Sequence, residues 1–187
     1  MLFRSKTNIK GLIVVKPEIF QDERGLFFES YNKEKFKSLG IDVNFVQDNQ
    51  SISHKNVLRG LHFQKKPYEQ DKLVRVTRGS VLDVAVDLRL NSPTYGKWAS
   101  IVLSEENGLM LFIPKGFAHG FLSLEDNTVF QYKCSDIYSK DHEDGLLWDD
   151  PVLNIDWGFE KPIVSSKDLL LPNFTRSEEH TSELQSH

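Results

Sequence analysis

Between residues 56 and 134 the chain is a succession of short apolar-rich runs, each stopped by a turn signal. No other feature restricts the fold as much. The runs are "NVLRGLHFQ", "KLVRVTRG", "SVLDVAVDLRL", "KWASIVLS", "LMLFIP" and "NTVFQYKC", and the breaks are "RGS", "NSPTYG", "ENG", "PKG" and "EDN". Such spacing is that of an antiparallel sandwich or barrel. In the clearest run Leu82, Val84, Val86, Leu88 and Leu90 share one face while Asp83, Asp87 and Arg89 take the other. Its period of two predicts a strand with one buried side. The best helix candidate is "NKEKFKSLG", with Asn32 as N-cap and Gly40 as stop, so the prediction is an all-β protein with one or two short peripheral helices.

A chain of 187 residues is long enough for one domain with a hydrophobic core and gives little reason to look for a second. That domain is predicted over residues 1–175. The tail "RSEEHTSELQSH", residues 176–187, follows an abrupt loss of apolar pattern after Phe174. It resembles a translated sequencing-adapter read-through, and it is set aside as non-native and expected to be disordered. A net charge of −4 argues against nucleic-acid binding through phosphate contacts, whereas a local cationic pocket for a small anion remains compatible with it. The single cysteine, Cys134, excludes an internal disulfide, and the start "MLFRSKTNIKGLIVV" has no apolar run long enough for a leader or a membrane span. A soluble, cytoplasmic protein is expected. Neither a P-loop nor a dinucleotide-type glycine fingerprint is present, so any nucleotide is held in another way.

The run "GLMLFIPKGFAHGF" sets Gly108, Pro114, Gly116 and His119 at a spacing that resembles the second signature of the cupins. These are small jelly-roll barrels in which the proline-glycine turn joins two strands and the histidine points inward. Metal-dependent cupins complete that site with a His-x-His pair and a glutamate, a ligand set suited to a divalent transition metal. Here Gln64 stands two residues after His62, and Lys72 occupies the strand position where the glutamate would be. An ammonium repels a dication and the remaining imidazoles are too few, so no metal is expected. Taken alone, His62 can be a base or a satisfied interior group, and Tyr132, on a face with Thr128, Phe130 and Cys134, reads as a core aromatic. Together with lysine and arginine they suit removal of a proton next to a carbonyl. An imidazole accepts a proton near neutrality, a cation stabilises the enolate oxygen, and a tyrosine can return a proton from the opposite face.

The stretches "DERGLFFES" (22–30), "QDNQSIS" (47–53), "LRGLHFQ" (58–64), "QDKLVRVTRGSVLDVAVDLR" (70–89), "SPTYGKW" (92–98), "IPKGFAHGFLSL" (113–124), "YKCSDIYS" (132–139) and "SSKD" (165–168) together resemble the dTDP-4-dehydrorhamnose 3,5-epimerase family. The match runs in order from about Thr7 to Phe174, which makes it specific as a set. The resemblance implies cofactor-free epimerisation of dTDP-4-keto-6-deoxyglucose at C3 and C5, both adjacent to the C4 ketone. It makes His62 the general base, Asp168 the carboxylate that orients it, Tyr132 the acid on the other face and Lys72 the stabiliser of the enolate oxygen. It also gives Arg59, His119 and Lys167 substrate contacts, adds Arg24, Glu29, Gln47, Asn49 and Glu143 around the nucleotide and sugar, and stacks Tyr138 on the thymine. A homodimer is implied, with strands near Arg24 and Glu29 reaching across. Three alternatives stay open: a single-site epimerase or ketoisomerase of the same substrate class, a metal-dependent cupin, and a non-catalytic sugar-nucleotide binder.

One geometric expectation needs no family. In an ideal strand Arg59 and His62 have opposite parity, so both can line one pocket only if the strand is irregular between them. Gly60 is suited to a bulge or kink, and a break in regular pairing is predicted at or next to it.

Overall fold

In the computed structural model, which describes residues 3–174, the predicted strands form two sheets packed face to face. The elements follow in the order β1 (Phe3–Lys6), β2 (Ile13–Lys16), β3 (Phe20–Asp22), β4 (Gly25–Phe27), α1 (Lys33–Ser38), β5 (Gln47–Ser53), β6 (Val57–Gln64), β7 (Lys72–Arg78) and β8 (Ser80–Asp87). They continue as β9 (Trp98–Ser104), β10 (Met110–Ile113), β11 (Phe117–Ser123), β12 (Thr128–Cys134), β13 (Glu143–Gly145) and β14 (Ile163–Val164). One sheet has the order β1-β2-β10-β7-β12-β5; the other runs β13-β6-β11-β8-β9, with β14 beside β6, while β3 and β4 form a separate two-stranded ribbon. Neighbours in the sheets are antiparallel except β14, which pairs with β6 in parallel. This is the cupin-like, all-β architecture that the spacing predicted. The disorder expected for residues 176–187 lies outside the described residues.

The helix forms where the capping residues place it. The Asn32 side chain accepts from the Lys35 N–H, satisfying one of the free donors of the first turn, and Gly40 follows the last turn at φ +86°. Phe36 is the residue it buries, packing with Ile13, Val15, Leu73 and Met110 on the outer side of the first sheet. Between the sheets, Val74, Val76, Leu111 and Phe130 meet Val81, Ala85, Leu103 and Phe121. Each large side chain removed from water there contributes about 1.5–3 kcal/mol.

The second sheet is covered on its other side too. Leu58, Leu61, Val84, Val86 and Leu122 pack under Leu146, Leu153, Trp157 and Phe174 of the C-terminal segment. This corrects the one-sided picture of β8. Asp83 and Asp87 do not face solvent; both are fully buried between the sheets, on the same side as Val81 and Ala85, while Leu90 beyond the strand is exposed. The alternation is real, but the C-terminal segment covers the face that solvent would otherwise reach, and a single strand's pattern cannot reveal it. β5 was not among the runs read as strands. Its sequence "QDNQSIS" is polar because it is an edge strand, pairing only with β12.

Candidate active site

The break predicted at Gly60 is present, and it organises the site. β6 pairs with β11 through His62↔His119 and Arg59↔Phe121, so β6 spends one more residue than its partner between those two points. A bulge of this kind reverses parity along one strand. Leu58 and Leu61 consequently both face the outer cluster, and Arg59 and His62 both line one cavity of about 530 Å³. Gly60 is required sterically. Its φ is +125°, and a Cβ there would lie 2.5 Å from Gly120 Cα and 2.8 Å from the His119 carbonyl oxygen.

The cavity gathers residues that are far apart in sequence. Arg59 and His62 come from β6, Lys72 from the start of β7, His119 from β11 and Tyr132 from β12. Asp168 opens a short 3₁₀ turn, Asp168–Leu170, and Lys167 precedes it. Asp168 Oδ1 lies 2.8 Å from His62 Nε2, and its Oδ2 accepts from the Gly60 N–H at 3.3 Å. Burial pushes the Asp168 carboxyl up, but the His62 hydrogen bond and charge, the Gly60 N–H and Ser165 outweigh it, and the net pKa falls below its ordinary value. An ionised carboxylate only accepts. His62 Nε2–H therefore donates, and the Nδ1 lone pair is left free to take a proton.

The other three chemical groups have distinct environments. Burial raises the Tyr132 phenol, with Cys134 adding to this and Arg59 opposing it, so its O–H stays protonated near neutrality. The Lys72 ammonium lies 6.0 Å from the centroid of the Tyr132 ring. Burial lowers its pKa, against the opposing influence of Cys134, Asp83 and Glu143. Arg59 Nε donates to Ser53 Oγ at 3.1 Å, which fixes the guanidinium against β5. His119 points inward from β11, as the cupin spacing predicted. Its Nε2 lies 2.9 Å from Asp83 Oδ2 in the buried interior.

Next to Lys167 of the cavity lining, burial pushes the Glu143 carboxyl up, but the bonds it accepts from Lys167 Nζ and from Tyr138 Oη at 2.7 Å, with the Lys167 charge, hold it below its usual range. Gln47 Oε1 accepts from the Tyr138 backbone N–H, and Gln47 donates to Asn49. Asn49 itself lines a neighbouring groove with Tyr132 rather than the main cavity. Arg24 and Glu29 are not brought to this cavity at all: Arg24 pairs with Asp22 on the β3–β4 ribbon, and Glu29 with Lys35 and Asn32. Among the described residues no group of three or more His, Cys, Asp or Glu side chains could hold a metal ion. Gln64, at the position of the missing second histidine, is engaged with the backbone of Tyr68, Ile137 and Ser139.

Asp83 is the buried charge of the site that the sequence did not single out. The signal available was its parity with Val81 and Ala85, small apolar residues that a solvent-facing strand side would seldom carry in succession.

Comparison with known proteins identifies the context. Residues 6–176 match the family model of dTDP-4-dehydrorhamnose 3,5-epimerase. The chain is 52% identical over 167 residues to a protein of that name from Methanothermobacter thermautotrophicus, covering 87% of this chain and 89% of the relative. Among solved structures, the 3,5-epimerase RmlC from Legionella pneumophila in complex with dTDP-4-keto-L-rhamnose superposes with a TM-score of 0.90 at 45% identity, covering 94% of each chain. ChmJ, a 3'-monoepimerase from Streptomyces bikiniensis in complex with dTDP-quinovose, gives a TM-score of 0.82 at 31% identity, covering 97% of this chain and 98% of its own.

Proposed function

The chain belongs to the dTDP-4-dehydrorhamnose 3,5-epimerase family, and from this premise we propose that its cavity inverts C3 and C5 of dTDP-4-dehydro-6-deoxy-D-glucose to give dTDP-4-dehydro-L-rhamnose. It is an isomerase acting on a dTDP-sugar. His62 Nδ1 takes the proton from the carbon next to the C4 ketone, and the C–H electron pair moves onto the ketone oxygen as an enolate. Lys72 stabilises that oxygen, because a cation in a water-poor cavity is worth more to a developing charge than it is in bulk solvent. Tyr132 then delivers its hydroxyl proton to the opposite face of the carbon, which inverts the centre and leaves the phenolate to be reprotonated from solvent. No step needs a cofactor.

The observation that carries this reading is the convergence of His62, Lys72 and Tyr132 on one cavity, with Asp168 2.8 Å behind the His62 ring. Arg59 and Lys167, which also line it, supply donors to the substrate's oxyanion and diphosphate, and His119 meets the substrate from β11. Tyr138, Glu143, Gln47 and Asn49 serve the nucleotide and sugar. Arg24 and Glu29 are assigned to the cavity of a neighbouring subunit. Phe20 (57% exposed), Leu26 (60%) and Phe27 (70%) leave the ribbon that carries Arg24 with an uncovered apolar surface suited to such a partner. A homodimer of one cytoplasmic domain, with residues 176–187 as a non-native tail, completes the proposal. Among the described residues no helix is long and apolar enough to cross a membrane.

The likeness to a 3'-monoepimerase favours one rival, inversion at a single carbon. Turnover in D₂O separates the two. Deuterium at both C3 and C5 of the product is expected, and label confined to one carbon would select the rival.

A further inference from the structure

Behind His119, one of the residues lining the cavity, stands a second carboxylate, Asp83, that has no part in the mechanism above. Asp83 lies in the middle of β8 with no exposed surface. Its Oδ2 meets His119 Nε2 at 2.9 Å, whereas its Oδ1 is buried with no hydrogen-bond partner. A buried carboxylate with one oxygen unused is a destabilising feature unless a neighbouring charge needs it. The charged groups that face it are His119 from β11 and Lys72 from β7, and Lys72 is faced in turn by Cys134 of β12 and Glu143 of β13.

Asp87 shows what a structural acid on the same strand looks like. It sits four residues on with the same parity and is equally buried. Both its oxygens are engaged, Oδ1 by the Arg89 backbone N–H and Nε, and Oδ2 by Arg89 Nη2, Ser92 Oγ and Thr94 Oγ1. Those bonds tie the following loop to the strand. Asp83 ties no loop.

We infer that Asp83 is a positioning residue for the reaction: it holds His119 with Nε2–H turned to β8 and Nδ1 free, and its buried, otherwise unpartnered oxygen supplies the negative charge on the side of the cavity that Lys72 occupies. The inference rests on the reading that Lys72 and His119 meet the substrate. Burial pushes the Asp83 carboxyl up, and His119 and Lys72 oppose it, which is the same mutual dependence seen from the carboxylate's side. An amide in its place can donate to Nε2, which would reverse the imidazole tautomer, and it leaves Lys72 without a counter-charge.

The test is Asp83→Asn beside Asp87→Asn, with steady-state kinetics on the dTDP-4-keto-6-deoxy sugar across pH. For Asp83→Asn we expect kcat to fall roughly tenfold to a hundredfold with KM within about threefold. The basic limb of the kcat profile should move to lower pH by about one unit, as loss of a nearby opposite charge dictates. Asp87→Asn should lower the melting temperature and leave that limb in place. A wild-type basic limb in Asp83→Asn, with or without a loss of kcat, overturns the inference. Should Asp83→Asn not fold, ¹⁵N NMR of the wild-type protein reads the His119 ring directly. An Nε2-protonated ring is expected, and a ring protonated on Nδ1 with Nε2 bare overturns the inference. If the wild-type protein does not turn over the sugar while its His119 ring is Nε2-protonated, the proposed function fails, and what stands is that Asp83 fixes the His119 tautomer.

Discussion

Two histidines that line one cavity each meet a carboxylate at almost the same separation, 2.8 Å for His62–Asp168 and 2.9 Å for His119–Asp83. Their electrostatics point in opposite directions. Asp168 has a second donor, the Gly60 N–H, and lies at the end of β6's bulge where His62 keeps 30% of its side chain exposed. Asp83 has one partner and no exposed surface. The first carboxyl is consequently held below its usual pKa range and the second pushed above it. Equal geometry therefore does not imply equal role: what surrounds the carboxylate decides whether its histidine is a base open to substrate or a group held in place.

The largest effect expected is from His62→Ala. It removes the proposed base, so exchange of both carbons with D₂O should fall by about 10³–10⁴-fold. Exchange at the wild-type rate would break the comparison at once, because the His119 pair would then be the base. Asp168→Asn comes next, with a loss of about 10²-fold or more, since the amide cannot hold the tautomer that frees Nδ1. It should exceed the loss from Asp83→Asn, and a reversed order would exchange the roles of the pairs. A stability consequence follows with its sign. The Asp168 pKa is lowered from 3.8, so the pair's contribution is present above that pH and lost as pH falls through the folded-state value. Acid unfolding of Asp168→Asn should be correspondingly less steep, measured by circular dichroism.

How much of this contrast could be read from residues alone differs between the pairs. The inward His119 and the lysine at the position of a missing metal ligand were marked by local spacing, and the need for irregularity at Gly60 followed from the parity of Arg59 and His62 alone. Tyr132 by local pattern read as a core aromatic, and its role, like that of His62 as base, came only from the resemblance. Asp168 was tied to His62 only by resemblance, since 106 residues separate them and no local pattern records a contact made by a C-terminal turn. Asp83 was misplaced on a solvent face for the same reason. The segment carrying Leu153, Trp157 and Phe174 covers the sheet from a distance that periodicity does not see. Arg24, in the turn of the β3–β4 ribbon, and Glu29, just beyond it, were named by resemblance alone, and within one chain neither reaches the cavity.

Tyr132→Phe sharpens the division between faces. The proposed deprotonation by His62 does not use the phenol, so exchange at the first carbon should persist, slowed by less than about tenfold, while full epimerisation falls by about 10²-fold or more. Parallel loss of exchange and epimerisation, followed by mass spectrometry of product formed in D₂O, would remove Tyr132 from the acid role. Gly60→Ala acts on the His62 pair without touching its chemistry. A Cβ 2.5 Å from Gly120 Cα and the positive φ together should cost about 2 kcal/mol or more and lower the melting temperature. Because the Gly60 N–H bonds Asp168, activity should fall by more than the lost stability explains. Unchanged specific activity in the folded fraction would show that the bulge places Arg59 and His62 without tuning Asp168.

The smallest effect concerns the acid that belongs to neither pair. Asp87 is buried like Asp83 but is pulled down to about 2, because the hydrogen bonds from Arg89, Ser92 and Thr94 outweigh the effect of burial. A carboxyl whose folded-state pKa lies below its unfolded value contributes stability above about 3.8 and loses it as pH falls toward 2. The full contribution is on the order of 2 kcal/mol. Asp87→Asn should lose most of that at neutral pH and show little difference from wild type near pH 2, read from denaturant midpoints at each pH. Asp83→Asn should not follow that curve, because a carboxyl raised by burial carries no such dividend toward neutrality. Two carboxylates four residues apart on one strand, equally hidden from water, then separate by pH dependence alone, and a common curve would mean that Asp83 is a structural acid after all.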